Sequence, residues 1–198
     1  MKHYKVQRNG GFTLVEIAIV LVIIGLLLGG ILKGQEMMTN AKIKRTVNDF
    51  NGITAAVYSY IDRYGKLPGD DDAANARWAG VCGDGGNANG VMNGNWASTT
   101  DTDESREFWG HLRASGLITG AMSDCRQPTH AFGGQIGVTN GGYGLSGTTI
   151  CMGNVSGKIA DILDRQLDDA AKDTGTLRGS GAAGAWVANT TYTICKTL

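Results

Sequence analysis

From Phe12 to Leu32 the chain carries no charge except at Glu16, and most of its side chains there are branched aliphatics. As a helix, a run of that length rises about 30 Å, the depth of a bilayer's hydrocarbon core, so it reads as a membrane-spanning segment. Lys2, Lys5 and Arg8 precede it with no acid among residues 1–11. Basic residues ahead of an apolar segment hold that end in the cytoplasm, so everything after Leu32 is expected outside. Glu16 is the anomaly. A carboxylate in lipid is costly, and an ordinary anchor gains nothing from one.

The other global features fit a membrane-tethered domain. With 198 residues, the chain has room for one spanning segment and one domain of about 130 residues with a real core. Lysine plus arginine and aspartate plus glutamate both number 18, so nothing suggests a nucleic-acid partner. Cys82, Cys125, Cys151 and Cys195 all lie beyond the apolar run and include no CxxC. That pattern favours two disulfides in an oxidising compartment over a zinc site or free thiols. Four cysteines allow three pairings; Cys82–Cys125 with Cys151–Cys195 is the expected one, because it keeps each bridge within one half of the domain. Thirty-one glycines against two prolines indicate a loop-rich domain.

Beyond the apolar run the pattern changes without a break. Ile43, Val47, Phe50, Ile53, Val57, Ile61 and Tyr64 recur at spacings of three and four and define one helical stripe, with charged residues on the other faces. Gly65 is a stop signal and the first proline is Pro68. One helix from about Phe12 to Tyr64 is therefore predicted, roughly 80 Å long. The remainder reads as α+β. Residues 80–100 form a glycine- and asparagine-rich loop, and a helix follows, with Asp101 and Glu104 resembling a capping box and Gly116 ending it. Phe108, Trp109 and Leu112 are its expected buried side. Short strands are expected near 134–139 and 145–152, a helix between Ser156 and Gly175, and a closing strand in "AWVANTTYTICK".

A basic leader, then "GG", then "FTLVE" and a long apolar run resembles the class III leader of type IV prepilins and type II secretion pseudopilins. The resemblance implies that a membrane aspartyl peptidase cuts after Gly11 and methylates the new amino terminus at Phe12. Glu16 matches the acid at the fifth mature position. In that reading Glu16 neutralises the buried Phe12 amine of a neighbouring subunit, since two buried charges are tolerable as a pair. A pairing with its own Phe12, one turn away, and a first-turn acid favoured by the helix dipole are the alternatives. The plan continues through "YGKLPGDD" into a compact head, and covers the first 70 residues well and the head only in outline. The sequence departs from many pilins at Lys33, where they have proline. Gly25, Gly29, Gly30 and Gly34 weaken the same stretch, and close helix contacts would explain them equally well.

No catalytic residue is assigned. His111 lies in an apolar helical context and reads as structural, and no GxSxG, HExxH or P-loop occurs. Asp84, Asn87 and Asn89 are a loose relative of a calcium loop with the wrong oxygen spacing, so no metal and no cofactor is expected. Asp70–Asp72 and the set Asp161, Asp164, Asp168 and Asp169 read as exposed faces. The expected organisation is a leader at 1–11, a membrane or filament-core segment at 12–32, an amphipathic continuation at 33–64 and an α+β head at 65–198. The expected function is that of a structural subunit of a type IV pilus or type II secretion pseudopilus, inserted once in the inner membrane with its head in the periplasm. Its partners would be prepilin peptidase, the assembly machinery and other copies of itself. The rival reading is a monomeric, membrane-tethered binding or enzymatic domain that retains a prepilin-like leader.

Overall fold

The structure, a computed structural model, describes residues 11–198. The leader up to Gly10 lies outside the described residues. The chain divides into two compact units, residues 1–41 and 42–198. Helix α1 (Leu14–Tyr64) runs through that boundary. It begins two residues later than the pattern predicts, because Phe12 and Thr13 are not yet helical.

In the first unit none of residues 11–41 is buried. This part of α1 is long and apolar enough to cross a membrane. The second unit uses the rest of α1 as a wall of its core. Ile43, Thr46, Phe50, Ile53, Ala56, Val57 and Tyr60 are buried, while Val47, Ile61 and Tyr64 lie at the margin of the core. The buried arc is wider than the predicted stripe. Thr46 can join it because its hydroxyl donates to the Lys42 carbonyl at 3.0 Å, which leaves no unpaired polar atom. Gly65 ends the helix in the left-handed region (φ 69°), and its N–H donates to the Ile61 carbonyl.

The head is α+β, as expected. After a single-turn helix α2 (Ala74–Arg77) and the glycine-rich loop come α3 (Glu104–Ala114), β1 (Ile136–Gly142), β2 (Leu145–Ser156), α4 (Gly157–Leu167), β3 (Leu177–Gly179) and β4 (Thr191–Thr197). The four strands form one antiparallel sheet in the order β1-β2-β4-β3. Tyr143 and Gly144 join β1 to β2 with positive φ at both positions (49° and 82°), the geometry that lets a two-residue turn follow the twist of its strands. Ile136, Val138, Ile150, Met152, Val155 and Ile194 pack in one core with Phe108, Trp109 and Leu112 of α3 and Leu163 of α4.

Two local expectations are corrected. The N-cap of α3 is Asp103 rather than Asp101, and Glu104 is the first helical residue rather than the closing member of a capping box. Its carboxylate turns instead to the loop, accepting from the Asn87 side-chain amide at 2.7 Å and the Asn93 N–H at 2.8 Å. At the other end of α3, Gly116 (φ 73°) donates to Arg113 and Leu117 donates to Leu112, both at 3.0 Å, a Schellman closure.

Candidate assembly site at the N-terminal helix

Residues 11–16 build the start of α1 from three hydrogen bonds. Thr13 donates to Glu16 Oε2 through its N–H at 2.8 Å and its hydroxyl at 2.9 Å. The Glu16 N–H in turn donates to Thr13 Oγ1 at 3.2 Å. Thr13 and Glu16 thus form a reciprocal capping box, with Thr13 as N-cap and Glu16 at the third helical position. Glu16 also sits where the helix dipole favours an acid. The "T-x-x-E" signal was legible in "FTLVE", yet the expected roles for Glu16 did not include the box. Phe12 is 85% exposed. No ion pair involves Glu16 among the described residues.

Along the same unit α1 stays helical through Gly25, Gly29, Gly30 and Gly34. A Cβ at any of the four, or at Gly11, would meet nothing within 4 Å. The chain's own packing therefore does not require glycine at these positions. Lys33 forms an exposed ion pair with Glu36 at 2.9 Å.

In the head the structure joins Cys82 to Cys125 and Cys151 to Cys195. Cys151 and Cys195 face each other in the β2–β4 register, which brings their Cα atoms to 4.0 Å. His111 is fully buried; its Nδ1 accepts from the Gly69 N–H at 2.9 Å and its ring stacks on Tyr60. Burial, and secondarily the Arg77 charge, pushes its pKa down to about 4, so it is neutral. His130 bonds the Gly153 carbonyl through Nε2 at 2.8 Å. Both histidines are framework residues. Of the loop residues, Asn87 Oδ1 accepts from Asn89 N–H and Asn89 Oδ1 from Val91 N–H, while the Asp84 N–H donates to Glu107. Each side-chain oxygen of the two asparagines is thus turned to the loop's own backbone.

Of the seven acids expected on exposed faces, Asp70, Asp71 and Asp164 are buried and Asp161 and Asp168 are half-buried. Asp70 accepts from the N–H groups of Asn89 and Gly90 at 3.1 and 2.7 Å. Asp71 accepts from the Tyr60 hydroxyl at 2.6 Å and pairs with Arg77. Asp164 is 0% exposed, and only Asp72 and Asp169 of the two sets are exposed. Glu107, also buried, is pushed up to about 7 by desolvation. Hydropathy marks an acid as surface, whereas these carboxylates are held inside by donors from distant loops.

Residues 6–32 match the family model described as the prokaryotic N-terminal methylation motif. The match takes in the Gly11–Phe12 junction, the Thr13–Glu16 box and the first turns of α1. No curated protein and no solved structure matches the chain. The chain thus carries the class III prepilin leader ahead of a long apolar helix.

Proposed function

We propose that this pilin-like or pseudopilin-like precursor is a structural subunit of a type IV pilus or a type II secretion pseudopilus. Prepilin peptidase cuts it after Gly11 and methylates Phe12. The subunit waits in the inner membrane as a single-pass protein with its head in the periplasm, and then polymerises through the N-terminal half of α1. The observation that carries this reading is the methylation motif at residues 6–32, set on a stretch of helix with no buried residue. Such a surface, apolar on all sides, has its partners outside its own chain: lipid first, then other helices.

Two details support it. Gly11 needs no glycine for its own packing, so the demand for a small residue lies with whatever acts on the junction. The capping box engages Oε2 of Glu16 and survives cleavage, because Thr13 keeps its N–H and hydroxyl. Oε1 is left to meet the methylated amine of a neighbouring Phe12. Helix start and subunit docking then use the two oxygens of one carboxylate.

Mass spectrometry of the mature protein tests the processing step, with N-methyl-Phe12 as the expected first residue. Retention of Met1–Gly11, in cells that process other prepilins, overturns it. Sheared surface material or an isolated secretion complex should contain the protein in sedimentable filaments. A processed chain that stays monomeric under conditions where other subunits polymerise would favour the membrane-tethered domain instead.

A further inference from the structure

Between α1, α3 and the chain that follows α3 lies a cavity of about 400 Å³, the size of a small-molecule site. Arg45, Asp49, Gly52 and Ile53 bring one face of α1 to it. Trp109 and Arg113 come from α3, Ile118 from the loop beyond, and Ile136 from the start of β1. Ile53, Trp109 and Ile136 are buried, so this part of the wall is apolar. All of these residues belong to the second unit.

The charges on its α1 wall are unpaired. Asp49 is half-buried and Arg45 is exposed one turn before it, yet no ion pair among the described residues involves either. A base four residues ahead of an acid is the weaker order for a helical pair, because both charges then oppose the helix dipole. Arg113 does not serve Asp49, since its guanidinium donates to the carbonyls of Asp124 and Arg126. Burial raises the Asp49 pKa, and the charges of Arg45 and His130 offset this only in part. The indole N–H of Trp109 is also buried without a partner. Gly52 weakens α1 relative to alanine, and a Cβ there would meet nothing within 4 Å. The chain's own packing therefore does not require glycine at this position; what Gly52 contributes is open space in the cavity.

We propose that this cavity binds a free α-amino acid with an apolar side chain. The ligand's ammonium pairs with Asp49 and its carboxylate with Arg45, while its side chain lies against Ile53, Trp109 and Ile136. Residues four apart on a helix hold their Cβ atoms about 5–6 Å from each other. A ligand with both charges on one carbon reaches the two together, whereas a simple amine or a simple acid leaves one of them unpaired. The amino terminus of a peptide has the same defect, because its carboxylate lies at the far end of the chain. Two charge-assisted contacts then fix the ligand's orientation, and the apolar wall selects its side chain.

The indole in the wall supplies the assay. Isotope-labelled full chain in detergent is titrated with L-leucine and L-phenylalanine and followed by NMR. The indole N–H resonance of Trp109 should shift saturably, and those of Trp78, Trp96 and Trp186 should not. Asp49→Asn and Arg45→Gln should each weaken binding by about tenfold or more, the usual loss for a hydrogen bond to a charged group. Lys44→Gln, next to the cavity but not lining it, should bind as the wild type does. Gly52→Leu should abolish binding without lowering the melting temperature of the head. N-acetyl-L-leucine, which lacks the ammonium, and L-leucinamide, which lacks the carboxylate, should bind about tenfold or more weakly than L-leucine. Should Gly52→Leu fail to fold, Arg45→Gln at its exposed site carries the test. No saturable shift in the wild type, or unchanged binding by Asp49→Asn or Arg45→Gln, overturns the site. L-leucinamide binding as tightly as L-leucine overturns the assignment to a free amino acid. The measurement needs no filament, so its outcome is independent of whether the chain polymerises.

Discussion

The two halves of α1 share one backbone geometry and follow opposite rules for their side chains. Residues 11–41 are richer in leucine, isoleucine and valine, yet bury none of them. Charged residues return at Lys33 and Glu36, yet burial begins only at Ile43, and Ile43, Thr46, Phe50, Ile53, Ala56, Val57 and Tyr60 are buried. Apolar content alone therefore says little about what stabilises this fold. An apolar side chain contributes to folding when its own chain covers it; otherwise it contributes to whatever covers it later. The acids follow the same division. Glu16 is held by the helix start, within three residues of itself, whereas the buried acids of the head are held by loops far away in sequence.

The sharpest way to break this comparison is to truncate one aromatic or aliphatic side chain in each half. Phe50→Ala empties a site that is 1% exposed and should cost the head about 3–5 kcal/mol. Leu27→Ala, at a site 61% exposed, should leave the melting of the head unchanged. A thermal melt of both variants in detergent decides it, and a comparable loss from Leu27→Ala would end the distinction.

Next in size is Glu16→Ala. Insertion, cleavage and head folding should persist, while filament yield falls by on the order of a hundredfold or more, because each added subunit buries an amine without its partner. Quantified filaments from a strain lacking the wild-type copy are the measurement. Normal yield would reduce Glu16 to its capping role.

A smaller effect tests the buried side of the division through pH. Glu107 and His111 lie one turn apart on α3, and each leaves a buried atom unpartnered, Oε2 and Nε2 respectively. Desolvation raises Glu107 from 4.5 to about 7, so its stabilising contribution is complete below 4.5 and is lost as the pH rises through 7. Burial lowers His111 from 6.5 to about 4, so its contribution is complete above 6.5 and is lost as the pH falls through 4. Between 4.5 and 6.5 the two slopes oppose each other. Glu107→Gln should expose the histidine alone, giving stability that falls with acid by up to about 1.4 kcal/mol per pH unit. Denaturation curves across that range check the sign; a variant that gains stability in acid would contradict it.

The smallest expected effect belongs to Thr13→Ala. It removes the hydroxyl, which makes two of the three Thr13–Glu16 bonds, but leaves the Thr13 backbone N–H to bond Glu16. The first turn of α1 should fray by about a fivefold change in its local equilibrium, with the head untouched. Amide exchange at residues 14–17 would register it.

Much of this protein was determined by residues close together in the chain. The apolar run, the amphipathic continuation, the stops at Gly65 and Gly116, the start of α4 after Ser156 and the closing strand all rest on patterns within a few turns. Local physics suffices there, because helix period, chain reversal and capping are short-range. The Thr13–Glu16 box belongs to the same class and was legible for that reason. Tertiary structure alone decided the rest. No local signal announces the three residues of β3 or places β4 between β2 and β3. Three cysteine pairings were open until register set Cys151 opposite Cys195. The acids show the limit most clearly. Whether Asp70, Glu104 or Asp164 is inside depends on donors at Asn89 and Gly90, at Asn87 and Asn93, and at Trp186. A carboxylate's burial is set by the partners that folding brings to it, and those partners lie 11 to 22 residues away.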